Sequence, residues 1–231
     1  LIIYLSCEQP LTTQSDGERK MYKKLDDNAK QLILETGIDE FAERGLDRAN
    51  INVIAKKAGV SVGVIYKYFG DKDSFFLACV RHSLALLDAV LSEAISHETD
   101  IESGIESIVR ALIVHAREHK SHNAMYNEIT SGGCKKYAAE LAREIEGRTA
   151  RVYSELLENA RAAGTVDPGL DPKLFAFFLD NMFMMLQFSY SCDYYAERMK
   201  IFCGEDIADD TDKMTECFMR FAKNALKIGR G

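Results

Sequence analysis

The stretch that decides the fold is residues 51–69, INVIAKKAGVSVGVIYKYF. Its apolar residues recur at helical spacing on both sides of Gly59, which predicts two short helices joined by a tight turn. Asn50 stands at the N-cap position of the first helix, where its side-chain oxygen can accept an orphan backbone N–H. Gly59 can take the left-handed conformation that ends this helix, and Ser61 can cap the next one. The pattern therefore predicts a helix-turn-helix.

Three positions fit the close crossing of the two helices. Ala55 is a small residue in the middle of the first helix, Gly59 follows four residues later, and the apolar Ile65 stands ten residues after the alanine. An ordinary helical hairpin is the alternative, and this spacing disfavours it. The second helix begins with small residues, so its N-terminal end can enter a DNA major groove.

The residues expected to contact DNA combine small side chains, which permit close approach, with hydroxyls and cations suited to phosphate. They are Asn50, Ser61, Val62, Gly63, Tyr66, Lys67, Tyr68 and Lys72. Tyr68 is also expected to face back toward the first helix of the pair.

Residues 33–77 resemble the DNA-binding domain of the tetracycline-repressor-like (TetR) family of bacterial transcription regulators. The matching words are ILETGIDEFAERG (33–45) and IAKKAGVSVGVIYKYFGDKDSFF (54–76). Asn50 departs from the threonine usual there. Gly37 departs from the usual alanine, at a cost of about 1 kcal/mol in helix propensity. The resemblance implies an all-α protein, with an N-terminal three-helix DNA-binding domain and a larger C-terminal helical domain for dimerisation and effector binding.

Composition agrees with a helical chain, because only 3 prolines and 15 glycines occur among 231 residues. The net charge of −7 is unusual for a DNA-binding protein, but it is unevenly distributed. Residues 17–75 carry 11 Lys and Arg against 10 Asp and Glu, whereas residues 76–231 carry 18 against 24. DNA affinity depends on the local charge, so a net charge of +1 around the motif predicts modest non-specific affinity and a need for dimerisation.

The breaks between helical patterns divide the chain into three parts. Residues 1–20, which begin LIIYL, are expected to be a disordered upstream extension or an artefact. Residues 21–71 form the predicted DNA-binding domain, and residues 72–231 form the effector-binding and dimerisation domain. The apolar run at the start is too short to span a membrane, and no membrane partner is expected. The six cysteines lack CxxC pairs, which indicates reduced thiols in a cytoplasmic protein.

The segment 172–200, predicted to be one helix, is apolar most of the way round, so it must be buried on more than one side. Together with a helix predicted at 211–228, it is expected to pair two subunits into a homodimer. Its aromatic and methionine residues also suit an apolar, adaptable pocket for an unknown small effector, with plain core or interface packing as the alternative. The predicted pocket residues are Met125, Tyr126, Asp180, Asn181, Met184, Gln187 and Phe188.

One motif suggests different chemistry. His115, Glu118 and His119 match the H-x-x-E-H pattern of a group of zinc peptidases, with His122 nearby. A metal-responsive regulator and a zinc hydrolase are therefore alternatives, although cationic residues also collect at helix ends for electrostatic reasons. The preferred interpretation is a repressor without cofactor or enzymatic activity that binds a palindromic double-stranded operator. Its half-sites would lie about one helical turn, ~34–36 Å, apart or slightly more.

Overall fold

The structure is a computed structural model that describes residues 25–96, 98 and 100–228. These residues form helices and connecting loops without any strand, which confirms the all-α prediction. The α-helices are α1 (Asp27–Arg48), α2 (Ile51–Lys57), α3 (Val62–Phe69), α4 (Lys72–Ile95), α5 (Ile101–Glu118), α6 (Lys120–Glu128), α7 (Ala138–Ala162), α8 (Pro172–Ser191), α9 (Asp193–Cys203) and α10 (Thr211–Leu226). The expected extension at 1–20 lies outside the described residues.

The helix-turn-helix is formed by α2 and α3. The Asn50 side chain accepts from the backbone N–H of Asn52 at 2.9 Å, so the predicted cap is present. Gly59 has a φ of +68°, the left-handed conformation expected of the turn. Ser61 has the extended backbone of an N-cap, but its side chain makes no capping hydrogen bond, contrary to the prediction. Its hydroxyl therefore does not contribute to the start of α3.

Gly37 in α1 has a packing reason that the sequence did not reveal. A Cβ at this position would lie 2.6 Å from Cζ of Phe75 and 2.8 Å from Sγ of Cys79, both on α4. Both neighbours are fully buried, so neither can move cheaply. Glycine is needed here because α1 and α4 approach closely, and its low helix propensity is the cost of that approach.

Two hydrophobic clusters make up the interior, and α4 passes from one to the other. Its first half contributes Phe75, Phe76 and Cys79 to the cluster around the helix-turn-helix, and its second half packs Leu87 and Leu91 on the cluster of the C-terminal helices. By length and composition alone, α4 is also the one helix in the described part of the chain that could cross a membrane. A helix that connects two cores shares that composition because it is apolar along its whole length.

The helix predicted at 172–200 is in fact two helices, so that prediction was wrong. Cys192 has φ −120° and ψ 128°, an extended conformation that separates α8 from α9. The break allows α9 to fold back beside α8, where the rings of Phe188 and Tyr195 lie 5.4 Å apart. Apolar composition around the whole segment could not reveal this break, because both helices contain aromatic residues.

Candidate DNA-binding surface and effector cavity

The α3 helix is held by one buried side chain and exposes most of the others. Ile65 is fully buried between the helices of the N-terminal cluster. Ser61, Gly63, Tyr66 and Lys67 are exposed, and Val62 is half-buried. These five predicted DNA-contacting residues thus lie at the N-terminal end of α3 or along its accessible part.

Two of the predicted contact residues also hold the domain together. The Tyr68 hydroxyl accepts from the backbone N–H of Leu25 at 2.9 Å, which fixes the tyrosine against the start of α1. Lys72 Nζ donates to the carbonyl oxygen of Asp47 at 2.9 Å. Tyr68 is thus partly exposed and bonded to the residues before α1, and its hydroxyl keeps a proton to donate, while the expected contact with α2 stays a prediction.

Gly63 lies on this surface, and the space around it would accommodate a larger side chain. An added Cβ would have Ser61 Oγ, at 3.7 Å, as its nearest neighbour, which is ordinary van der Waals contact. Glycine weakens a helix by about 1 kcal/mol relative to alanine. The described residues around Gly63 therefore give no packing reason for a glycine at this position.

A small enclosed cavity of about 60 Å³ lies among α4, α5, α6, α7 and α8. Five of the predicted pocket residues line it: Met125, Tyr126, Asp180, Met184 and Gln187. Asn181 does not, because it lies on an open groove of about 760 Å³ between α7 and α8, where its Nδ2 donates to the carbonyl of Phe177. Phe188 does not either, because its ring packs behind Tyr126 at 5.6 Å.

Acidic groups that the sequence prediction missed also line the cavity. Asp88 comes from α4, and Glu144 and Glu146 come from α7. Burial raises the pKa of Glu146, although the Tyr126 hydroxyl donates to its carboxylate at 3.0 Å. Burial, together with the charge of Glu146, raises the pKa of Asp180 to about 6. Two carboxyl groups are thus close together in poorly solvated surroundings.

A hydrogen-bonded network connects this cavity to the N-terminal helices. Glu35 of α1 accepts from Nε2 of His82 at 2.8 Å and contacts Nε2 of His122 at 2.9 Å. The other ring nitrogen of His122 lies 3.1 Å from the hydroxyl of Ser83. His122 and Ser83 both line the cavity, so this network joins the cavity wall to Glu35 of α1.

The histidines of the H-x-x-E-H motif lie close together but do not assemble a metal site. The rings of His115 and His119 are 4.7 Å apart. Among the described residues, no group of three His, Cys, Asp or Glu side chains is arranged to hold a metal ion. Burial and the neighbouring histidines lower the pKa of His115 to about 4, which keeps its ring neutral at physiological pH. This cluster therefore gives the metal alternatives no support.

The geometry is that of an all-α protein with a helix-turn-helix. The second helix of this motif, α3, is exposed at its N-terminal end, and helices α4 to α8 surround a cavity. Comparison with known proteins then identifies the family of the motif. Residues 33–79 match the family model described as bacterial regulatory proteins, tetR family. Residues 33–79 are thus a DNA-binding domain of the tetR type.

Relatives and solved structures agree with this assignment. The HTH-type transcriptional repressor AcnR of Corynebacterium glutamicum is 39% identical over 66 residues, which span 29% of this chain and 35% of AcnR, about a third of that protein's length. The uncharacterised regulator YhgD of Bacillus subtilis is 22% identical over 70% of this chain and 83% of its own. The fatty acid degradation regulator FadR of Bacillus halodurans has the same fold, with a TM-score of 0.66 at 19% identity over 85% of this chain and 97% of FadR.

Proposed function

We propose that this protein is a cytoplasmic, homodimeric transcriptional repressor that a small effector releases from a palindromic operator. The observation that carries the proposal is the surface of α3, where Gly63 leaves the backbone accessible beside exposed Tyr66 and Lys67. A helix end that lacks side-chain bulk can approach base edges, and the hydroxyl and ammonium groups beside it can contact phosphates. The match of residues 33–79 to the tetR family model supports the same assignment.

Dimerisation is proposed through α8 and α10. Leu174 and Phe178 on α8 and Phe221 on α10 are each more than half exposed, although they are large and apolar. The two helices are in contact, since the rings of Phe183 and Phe218 stack at 5.6 Å. Large exposed apolar side chains on both helices support an interface here, and a second copy of the same face would give the two-fold symmetry that a palindrome requires.

Coupling between effector and DNA is proposed to run through α4 and α6. The wall of the cavity includes Val80 and Leu84 of α4, and the same helix packs Phe75 into the DNA-binding core. Met125 of α6 touches both the cavity and that core. An effector that enlarges the cavity would displace these helices and change the separation of the two α3 helices in the dimer. DNA release then follows if the effector binds the displaced state more tightly.

The experiment is a fluorescence anisotropy titration with duplex DNA from the intergenic region upstream of the gene, at several salt concentrations. The Lys67→Ala variant should bind more weakly, and its plot of log affinity against log salt should be shallower by about 1, because one phosphate contact is lost. Lys120→Ala removes an exposed lysine at the start of α6, outside α3 and outside the helices proposed to form the dimer, and is the matched control. Equal salt slopes for the wild type and Lys67→Ala would contradict a phosphate contact by Lys67. Absence of any saturable binding would contradict the proposed function.

A further inference from the structure

The charge of the cavity wall distinguishes one class of effector from others. Asp88, Glu144, Glu146 and Asp180 line the cavity, and none of its described lining residues is Lys or Arg. Glu144 is paired on its other side with the guanidinium of Arg81, at 2.8 Å and 3.1 Å. Glu146 accepts from the hydroxyl of Tyr126, and Asp180 bonds to the hydroxyl of Thr149. Among the described lining residues of the cavity, no cation neutralises these two carboxyl groups.

Two further polar side chains face the cavity without a partner. Gln187 is 5% exposed, and its Oε1 has no hydrogen-bond partner among the described residues. His115 is 3% exposed, and its Nδ1 likewise has none. An unsatisfied buried polar atom costs about 1–3 kcal/mol, so a fold tolerates it where a ligand supplies the missing partner. The oxygen of Gln187 and the carboxylates of the wall are all electron-rich, so the group that complements them either carries positive charge or donates a hydrogen bond.

The rest of the wall is aromatic and apolar. The ring of Tyr153 packs against that of Phe183 at 5.4 Å, and Tyr126 and Met184 complete the surface around the carboxylates. Aromatic faces attract organic cations through their quadrupoles, and the attraction strengthens when water is excluded. A bare metal ion would instead require several oxygen or nitrogen ligands at once, and no such set of three is assembled among the described residues.

The position of the two carboxylates suggests a route of entry. Glu146, Thr149, Asp180 and Met184 line both the cavity and the open groove between α7 and α8. The groove also carries Glu155 and Glu158 against Arg151 and Lys173, so its lining is acidic on balance. The cavity itself has a volume of about 60 Å³, which holds roughly four water molecules at ~10–15 Å³ each. A larger ligand entering from the groove would meet the carboxylates first and then widen the cavity.

We infer that the effector is a lipophilic organic cation. Its charged head would lie between Glu146 and Asp180, and its apolar body would pack on Tyr126, Tyr153 and Met184. This inference rests on the proposed function only for the consequence of binding, which is release of DNA. Anionic amphiphiles of similar size would be excluded, because each would bring a negative charge into a wall that already carries several.

The test is isothermal titration calorimetry of the full chain with tetraphenylphosphonium and tetraphenylborate, which are nearly equal in size and opposite in charge. The wild type should bind the cation at least tenfold more tightly than the anion. The double variant Glu146→Gln, Asp180→Asn should lose at least tenfold in cation affinity, whereas Glu93→Gln, which removes an exposed carboxylate of α4, should lose none. Equal affinity for both ions, or an unchanged affinity in the double variant, would overturn the inference.

A second measurement on the wild type does not depend on the folding of any variant. The charge of tetraphenylphosphonium does not change with pH, so its affinity should rise as pH increases through about 6, where Asp180 loses its proton. The titratable and charged groups that line the cavity or the groove with Asp180 are Asp88, His115, His122, Tyr126, Glu144, Glu146, Arg151, Tyr153, Glu155, Glu158 and Lys173. Affinity that stays flat from acid to neutral pH would count against Asp180 as a partner of the cation. DNA binding without ligand is measured in parallel, so failure of the repressor assignment is distinguished from failure of the cation site.

Discussion

Replacing Gly63 with alanine should separate folding stability from DNA binding. The added Cβ would meet Ser61 Oγ at 3.7 Å and no closer atom, so the fold accommodates it without strain. The gain in helix propensity is up to about 1 kcal/mol. For a domain of this size, that gain raises the melting temperature by up to about 2–4 °C.

The same methyl group should weaken DNA binding, because it stands on the surface proposed to enter the major groove. Overpacking of a close contact costs about 1–3 kcal/mol, which corresponds to a roughly five- to 150-fold rise in Kd. Thermal melting and fluorescence anisotropy measure the two effects on one protein preparation.

Gly147→Ala is the matched control, since Gly147 is an exposed residue of α7 and an added Cβ would meet no atom within 4 Å. The control should raise stability in the same way and leave the affinity for DNA unchanged. Unchanged affinity in Gly63→Ala would refute the close approach of α3 to DNA. Lower stability in that variant would refute the packing argument.

Three other perturbations test the helical framework. Gly37→Ala should destabilise the protein by about 1–3 kcal/mol, because its Cβ would overlap the buried ring of Phe75, and chemical denaturation measures the loss. Phe178→Asp should give a monomer in light scattering and weaken operator binding, and a dimer that remains intact would place the interface elsewhere. Burial would raise the pKa of Glu35, but hydrogen bonds from His122 and His82 outweigh burial and lower it. The ionised Glu35 therefore stabilises the fold above the ordinary pKa of a glutamate, and this contribution is lost as pH falls through the lowered pKa. Glu35→Gln should therefore lose less stability than the wild type on acidification, as followed by thermal melting.

The DNA-binding helices could be predicted from sequence because each key residue meets a local requirement. Ala55 is 3% exposed at the crossing of α2 and α3, Gly59 has a positive φ, and Ile65 is fully buried. Such requirements depend on neighbours a few residues away, and they leave a pattern in the sequence. The glycine at position 37 was recognised as unusual, but its reason is a contact with α4 about forty residues later.

The cavity was predicted less completely, for two different physical reasons. On α8, Asp180, Met184 and Gln187 recur at i, i+4 and i+7, but Asn181, Met184 and Phe188 recur equally well at i, i+3 and i+7. Spacing along one helix therefore could not decide which of the two sets faces the cavity. Glu146 reaches the cavity from α7, and only the packing of α7 against α8 places its carboxylate beside Asp180. The acidic character of the cavity therefore could not be read from any single segment.

Selection of bound sequences from a pool of random duplex DNA tests the central claim most directly, because the operator sequence does not have to be known beforehand. A dimeric helix-turn-helix repressor should enrich an inverted repeat whose half-site centres are separated by about one helical turn, ~34–36 Å, or slightly more. The Gly63→Ala variant should enrich this repeat poorly. Enrichment of no sequence, or of a single unrepeated site bound by one chain, would contradict the account of a dimeric helix-turn-helix repressor.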